Sequence, residues 1–257
     1  MSQIYYELDC SALMCYFEVL INDVCVFSLN VDGQASMDIP INSGILEKGE
    51  QNIEIRMFPL SGKTELHKEA YVRYKVIEYD VSSGDFKFVK QFENFQTAPV
   101  QKSIPTVLHK SFFFANVSYK LQAWQNAVDL KDVTFDLKKS LISKAEEIIM
   151  ALNDKNYKLF AQQLSKKELN NATAMYLTSE ESKNRLSGII AECEDGFKAM
   201  PIDKNVYIEY SANNRLATLK RLNRNSALYL ENSKTNEEVL LDIRFSMIKG
   251  SSDFEIF

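Results

Sequence analysis

The chain contains 257 residues, of which 46% are hydrophobic and 25% are charged, and its formal net charge is -5 at pH 7. This composition is typical of a folded globular protein, and the acidic balance argues against a nucleic-acid-binding protein, which usually carries a basic patch. No apolar run approaches the roughly 18–20 residues that cross a bilayer, and the N-terminus lacks a basic start followed by an apolar segment. We therefore expect an unprocessed cytoplasmic protein that binds neither nucleic acid nor a membrane.

Residue types that often carry catalysis or bind metals are sparse in the sequence. The two histidines, His67 and His109, have no second ligand at a spacing typical of a zinc site, and the four cysteines contain no CxxC pair. Phosphate-binding glycine motifs and the GxSxG motif are absent. We therefore expect no metal, no cofactor and no catalytic residue, and we expect the cysteines to be free, buried thiols.

The first half of the chain carries strand patterns almost throughout. Gln51 to Phe58 alternates apolar and polar side chains, which predicts a half-buried strand. Asn22 and Asp23 form a turn signal between Leu13–Ile21 and Val24–Leu29, which predicts a hairpin. About seven or eight such strands predict an antiparallel two-sheet β-sandwich over residues 1–125.

Two further strand patterns complete this half. Ala70–Val81 and Phe86–Phe92 are separated by a four-residue turn signal and predict a second hairpin. Ser111–Trp124 is rich in aromatic residues and predicts a long strand. Its run of three consecutive phenylalanines, 112–114, exceeds what one face of a strand needs. We expect the run to be buried between two domains, and a position facing a partner is the alternative.

The second half begins with helical patterns. Leu137 to Leu152 carries an apolar stripe at helical spacing, and the Asn153-Asp154 pair then interrupts it. A second helix is predicted to follow, with Tyr157 and Phe160 on its inner face, and a third is predicted around Ser179–Phe197.

Five strand patterns follow the helices and are separated by tight, asparagine-rich connections. They lie at Val206–Tyr210, Leu216–Leu222, Ala227–Glu231, Val239–Ile248 and Phe254–Phe257. Helices followed by such a meander predict helices packed on one face of a curved antiparallel sheet. The whole chain is therefore predicted to be α+β, with one domain at 1–125 and a second at 126–257.

The second half also resembles a known family. Residues 144–165, KAEEIIMALNDKNYKLFAQQLS, give a long helix, an Asn-Asp turn and a second helix, and the strands LLDIRFSMIKGSSDFEIF follow at 240–257. This order of elements resembles the nuclear transport factor two-like fold, also described as ketosteroid-isomerase-like or cystatin-like. The resemblance covers about half the chain and implies a cone-like domain. Some members are enzymes that use an acidic residue and a tyrosine in a pocket between helix and sheet, and others only bind a small molecule or a protein.

The resemblance suggests which polar residues to consider as a binding site. The candidates are Tyr157, Tyr207, Glu209, Tyr210 and Asp242. An acid in an apolar cone could have a pKa shifted toward a catalytic value. We favour the alternative, in which the tyrosines are core and rim aromatics and the acids lie on outward strand faces.

One basic cluster also stands out in the sequence. It consists of Arg215, Lys220, Arg221 and Arg224. Strand alternation sends Lys220 and Arg221 to opposite faces, so we expect a solvated sheet edge and not a phosphate-binding track.

The absence of catalytic motifs favours a non-enzymatic protein with a protein partner. In overall character the chain resembles bacterial immunity proteins, which neutralise a cognate toxin by direct binding. The first alternative is a small-molecule-binding or isomerase- or lyase-type enzyme with a pocket in the second domain. The second alternative is a structural or adaptor module. The sequence leaves the oligomeric state open.

Overall fold

The computed structural model describes residues 2–101, 104–251 and 253–257. The chain divides into two compact units. The first unit consists of Met1–Leu121 and Ala174–Tyr176, and the second consists of Gln122–Thr173 and Leu177–Phe257. The mixed α+β class predicted from the sequence is confirmed. The assignment of independent domains to residues 1–125 and 126–257 stays a prediction.

The first unit is built on six antiparallel strands that form one hydrogen-bonded sheet. They are β1 (Ile4–Ile21), β2 (Val24–Pro40), β3 (Gly49–Phe58), β4 (Tyr71–Asp80), β5 (Lys87–Gln96) and β6 (Val107–Ala115). The strand order is β5-β4-β1-β3-β6, and β2 pairs with β1 outside this path. A short 3-10 helix at Asn42–Gly44 follows β2. The strand pairings therefore connect all six strands through β1. The predicted arrangement of two sheets in a β-sandwich stays a prediction.

The long strand β1 organises this sheet. It pairs with β4 along Ile4–Leu13 and with β3 along Tyr16–Ile21, while β2 pairs with it on the other side. At Met14 the backbone φ is 51°, and the pairing with β2 shifts register between Leu13 and Cys15. The core-facing positions change there from even to odd numbers. Because side chains alternate along a strand, this bulge keeps apolar side chains of both halves directed into the core.

Both hairpins predicted from the sequence are confirmed. Asn22 and Asp23 have φ values of 52° and 64°, as a tight hairpin turn requires, and they join β1 to β2. The second hairpin joins β4 to β5. Of the four free cysteines, Cys10 and Cys15 are buried as predicted, whereas Cys25 and Cys193 are partly exposed.

The predicted strand Ser111–Trp124 is only partly correct. β6 begins earlier, at Val107, and ends at Ala115. Beyond Ala115 the chain leaves the sheet, because the N–H of Asn116 donates to the hydroxyl of Tyr6 and the N–H of Leu121 donates to the carbonyl of Leu46.

The expected burial of the phenylalanine run is wrong for two of its three members. Phe113 is buried, but Phe112 and Phe114 are 66% and 55% exposed. The physical reason is strand alternation, which directs neighbouring side chains to opposite faces of the sheet.

Four helices lie in the second half of the chain: α1 (Leu137–Asn153), α2 (Tyr157–Gln163), α3 (Ser165–Ala174) and α4 (Ser179–Glu194). Asp136 caps α1 by accepting from the N–H of Lys139 at 3.0 Å. Thr178 and Glu181 form a capping box at the start of α4. The predictions of α1, α2 and α4 are confirmed, whereas α3 was not predicted.

Seven short strands follow the helices. They are β7 (Lys198–Ala199), β8 (Tyr207–Ser211), β9 (Leu216–Lys220), β10 (Tyr229–Asn232), β11 (Glu237–Leu240), β12 (Phe245–Met247) and β13 (Phe254–Ile256). They form one sheet in the order β11-β10-β7 and a second sheet in the order β13-β12-β9-β8. Position 252, within the segment that carried the family resemblance, lies outside the described residues.

The prediction of one strand over Val239–Ile248 is wrong, because the segment is divided between β11 and β12. The N–H of Leu241 donates to the carbonyl of Leu228, whereas Arg244 exchanges both backbone hydrogen bonds with Phe257. Residues 241–244 therefore pass from one sheet to the other.

The core of the second unit lies beneath α1. Leu141, Ala145 and Ile148 of α1 belong to the same apolar cluster as Leu219 of β9 and Phe245 of β12. Their packing explains why α1 carries one apolar stripe. Within the described part of the chain, no helix combines the length and the apolar character that crossing a membrane requires.

Candidate functional site

Strands β8 and β9 place the predicted binding residues on two different faces of their sheet. Tyr210 lies opposite Ala217 and packs against the apolar core beneath α1. Tyr207 and Glu209 alternate with it and therefore face away from α1. Paired residues of neighbouring strands share a face, so Lys220, which lies opposite Tyr207, also faces away from α1.

Tyr210 and Tyr157 make contacts elsewhere in the second unit. The ammonium group of Lys131 lies 5.1 Å from the centre of the Tyr210 ring. Tyr157 begins α2, and its hydroxyl is buried without a hydrogen-bond partner among the described residues. Burial and the neighbouring Cys193 and Glu194 raise the pKa of Tyr157. Tyr210 and Tyr157 therefore do not lie with Glu209 and Asp242, the acids with which the sequence analysis grouped them.

The two predicted acids, Glu209 and Asp242, share basic neighbours. The Nζ atom of Lys220 lies 3.8 Å from Oε2 of Glu209, and its charge also acts on Asp242. Oδ2 of Asp242 lies 2.8 Å from Nη2 of Arg244 and 3.9 Å from Nζ of Lys167. We call these five side chains, Lys167, Glu209, Lys220, Asp242 and Arg244, the charged cluster.

The charged cluster is half-buried, and its members differ in exposure. The side chains of Lys167, Lys220 and Arg244 are only 15%, 17% and 16% exposed, whereas that of Asp242 is 59% exposed. Glu209 pairs with Lys220, and Asp242 pairs with Arg244 and Lys167. Charged groups withdrawn from water must be paired, and the two acids contribute to that pairing.

The pKa shifts within the charged cluster follow from this arrangement. Partial burial opposes ionisation of Asp242, but the charges of Arg244, Lys167 and Lys220 together lower the pKa of its carboxyl group. For Lys167, burial and the nearby guanidinium groups of Arg244 and Arg185 lower the pKa of the ammonium group, although Asp242 opposes this. The carboxyl group of Asp242 is therefore ionised at neutral pH.

Helix α3 supplies one side of the charged cluster. Lys166, next to Lys167, forms an ion pair with Glu255 of β13, and its Nζ lies 4.8 Å from the centre of the Phe257 ring. Glu168 accepts from Nε of Arg185 on α4 at 2.9 Å. Glu255 pairs with Ser246, which alternates with the core residue Phe245. α3 therefore lies on the sheet face opposite α1.

This arrangement holds fixed charges in place and does not prepare an acid for proton transfer. A general acid at neutral pH needs a carboxyl group with a raised pKa, and the pKa of Asp242 is lowered. Over the described ranges, no group of three or more histidine, cysteine, aspartate or glutamate side chains is placed to hold a metal ion. What the cluster can do is recognise a charged group on a partner, because Asp242 remains accessible to solvent.

Sequence reasoning named Lys220 only as part of a basic cluster and missed Lys167 and Arg244. The expectation of a solvated edge at Lys220 and Arg221 is wrong: Arg221 forms a two-bond ion pair with Glu238 at 2.8 and 2.7 Å, and its guanidinium stacks 4.1 Å from the Tyr229 ring centre. Arg244 could have been found, because it lies two residues after Asp242, and that spacing places two side chains on the same face of the predicted strand. Lys167 could not have been found from the sequence, because the helix that carries it, α3, was not predicted.

Comparison with known proteins gave no match of any kind. No protein-family model, no curated protein and no solved structure matches the chain. The resemblance to the nuclear transport factor two-like fold and the likeness to immunity proteins therefore stay proposals.

Proposed function

We propose that this protein is a non-enzymatic, cytoplasmic binding protein that recognises another protein through the charged cluster. The observation that carries the proposal is the position of Glu209 and Asp242. Both acids lie in ion pairs outside the apolar core beneath α1, and Asp242 is ionised and accessible. Ion pairs at a surface give specificity and fast association more than they give affinity, which suits a role in partner recognition.

The more specific form of this proposal is a bacterial immunity protein that neutralises a cognate toxin by direct binding. A toxin partner would have to present a basic group to the accessible carboxylate of Asp242, and the net charge of -5 favours approach by a basic surface. In this proposal the first unit is a β-sandwich and the second is a cone-like domain of the nuclear transport factor two-like type. The lowered pKa of Asp242 makes its carboxylate a weaker base, which supports this role over an isomerase- or lyase-type enzyme, whose general base works best with a pKa nearer the operating pH.

The experiment measures binding to the proteins encoded beside this one in its genome. Each is purified and titrated against the full chain by calorimetry at low and high salt. The test variant is Asp242→Asn combined with Arg244→Gln, which removes the closest ion pair of the cluster and keeps a polar side chain at both positions. The matched control is Arg221→Gln combined with Glu238→Gln, which removes a comparable ion pair of the same unit outside the cluster.

We expect one neighbouring protein to bind, with an affinity that the test variant lowers by about tenfold or more and the control leaves unchanged. For the immunity form, co-expression of the wild-type chain should also restore the growth of cells that express that protein. The proposal is overturned if no neighbouring protein binds, or if both variants weaken binding equally.

A further inference from the structure

Among the strands that the structure describes, three in the first unit pair with one neighbour each, and two of these three carry features that discourage further pairing. The pairing of β2 with β1 shifts register at two places, and β2 ends at Pro40. The pairing of β5 with β4 also shifts register twice, and β5 carries Lys87 and Lys90. Bulges, lysines and prolines at sheet edges are the devices by which proteins prevent association through an edge.

The third strand, β6, carries one lysine, Lys110, but neither a bulge nor a proline. It lies at the end of the strand order and pairs with β3 alone among the strands that the structure describes. All nine of its residues pair with β3 without a register shift, and it contains no proline. Such a regular, exposed edge can accept another strand.

The outward face of β6 carries an apolar row at alternate positions. Leu108, Phe112 and Phe114 are exposed there, and Lys110 lies between them. Nζ of Lys110 lies 3.1 Å from Oε2 of Glu54 on the neighbouring strand β3. The single charge of the row is therefore already neutralised within its own chain.

We propose that β6 pairs edge to edge with β6 of a second copy of this chain, antiparallel and centred on Ser111. In that register, Leu108 of each copy lies opposite Phe114 of the other, and Lys110 lies opposite Phe112. Both cross-strand pairs are favourable, the first through apolar contact and the second through the attraction of an ammonium group to an aromatic ring. The row is thus complementary to itself, which is the requirement for a two-fold symmetric interface.

The dimer is a weak one. Nine residues of strand span about 30 Å, so the edge alone buries less surface than a stable interface needs. We expect dissociation at micromolar concentrations. This inference is independent of the proposed function, because β6 belongs to the first unit and the charged cluster to the second.

The first test is sedimentation velocity of the full chain, under reducing conditions, from about 1 to 500 µM, the range in which an interface of this size dissociates. The test variant is Phe112→Lys, which places a second positive charge opposite Lys110, and the matched control is Phe88→Lys on β5, because the two phenylalanines are 66% and 64% exposed. Circular dichroism confirms that both variants are folded. The wild type and the control should form dimers as concentration rises, and Phe112→Lys should weaken the dimer by about tenfold or more. A monomeric wild type at 500 µM, or equal association of the two variants, overturns the proposal.

The second test addresses the register. Leu108→Glu and Phe114→Lys are made in separate chains, and each chain alone should dimerise poorly, because the first homodimer places a carboxylate opposite Phe114 twice and the second places an ammonium group opposite Leu108 twice. In the mixed dimer, the introduced lysine of one chain lies opposite the introduced glutamate of the other and forms one ion pair. The unchanged Leu108 and Phe114 form the second contact. Mixing should therefore restore dimers, and high salt should weaken them again. No restoration on mixing, or binding of a different protein to β6 of a monomeric wild type, overturns the proposal.

Discussion

Tyr6 and Glu78 lie directly opposite each other on β1 and β4, and the Tyr6 hydroxyl donates to Oε2 of Glu78 at 2.9 Å. Both residues are buried. The same hydroxyl oxygen accepts from the backbone N–H of Asn116 at 2.8 Å, where the chain leaves β6. Burial above all, together with the carboxylate of Glu78, raises the pKa of Tyr6 far above its ordinary value. The hydroxyl therefore keeps its proton, and one buried group joins two strands and a loop.

The first prediction concerns this hydroxyl. Tyr6→Phe should lower the free energy of unfolding by about 1–3 kcal/mol, because the buried carboxylate of Glu78 and the backbone N–H of Asn116 each lose a hydrogen-bond partner. Denaturant unfolding at pH 7 measures it. The control is Tyr71→Phe, whose hydroxyl accepts only a long, exposed bond of 3.5 Å from Gln34, and this change should cost less than about 0.5 kcal/mol. Equal losses in the free energy of unfolding for the two substitutions would show that the hydrogen bonds of the Tyr6 hydroxyl contribute nothing to stability.

The second prediction compares two glycines with opposite surroundings. A Cβ atom at Gly44 would lie 2.6 Å from Cβ of Ile21 and 2.9 Å from Cγ1 of Val26, so Gly44→Ala should destabilise the first unit by about 1–3 kcal/mol. A Cβ atom at Gly188, inside α4, would meet no atom within 4 Å. Gly188→Ala should therefore stabilise the protein by about 0.5–1 kcal/mol, because alanine restricts the unfolded chain. Thermal unfolding of both variants tests the difference, and shifts of the same sign contradict it.

Most of the secondary structure was predicted correctly, because the sequence patterns that determine it lie within one segment of the chain. The alternation in Gln51–Phe58 and the turn residues Asn22 and Asp23 determine their own conformation, whatever lies around them. The apolar stripe of α1 likewise requires only an apolar core against which it can pack. In contrast, the bulge at Met14 and the change of partners at residues 241–244 depend on which strands lie on either side. No pattern within one segment contains that information.

The candidate site also combines residues that sequence reasoning identified with residues that it did not. Glu209 and Asp242 were named because the family resemblance drew attention to acids in the second half. The cations that surround them come from a helix, a strand end and a segment between sheets, which are distant in sequence. Lys167 in particular lies on α3, whose polar sequence, SKKELNNATA, gives no clear apolar stripe. The ion pairs of the cluster therefore became visible only from the fold.

The last prediction concerns the pH dependence of stability. Partial burial of Asp242 acts in the opposite direction, but Arg244, Lys167 and Lys220 lower its pKa in the folded protein. A lowered carboxyl pKa contributes stability that is fully present above the unfolded value of about 3.9 and is lost as pH falls through the folded value. Asp242→Asn should therefore destabilise the protein at pH 7, and the difference from the wild type should disappear in acid below the folded pKa.

Solvent limits the size of this effect. Because Asp242 is 59% exposed, screening should keep the difference below about 1 kcal/mol, and added salt should reduce it. Thermal unfolding between pH 2.5 and 7 measures it in the wild-type and Arg244→Gln backgrounds. The effect of Asp242→Asn should be smaller in the second background, because the closest cation is missing. A difference that grows as the pH falls, or that is unchanged by Arg244→Gln, would mean that the ion pair does not stabilise the fold.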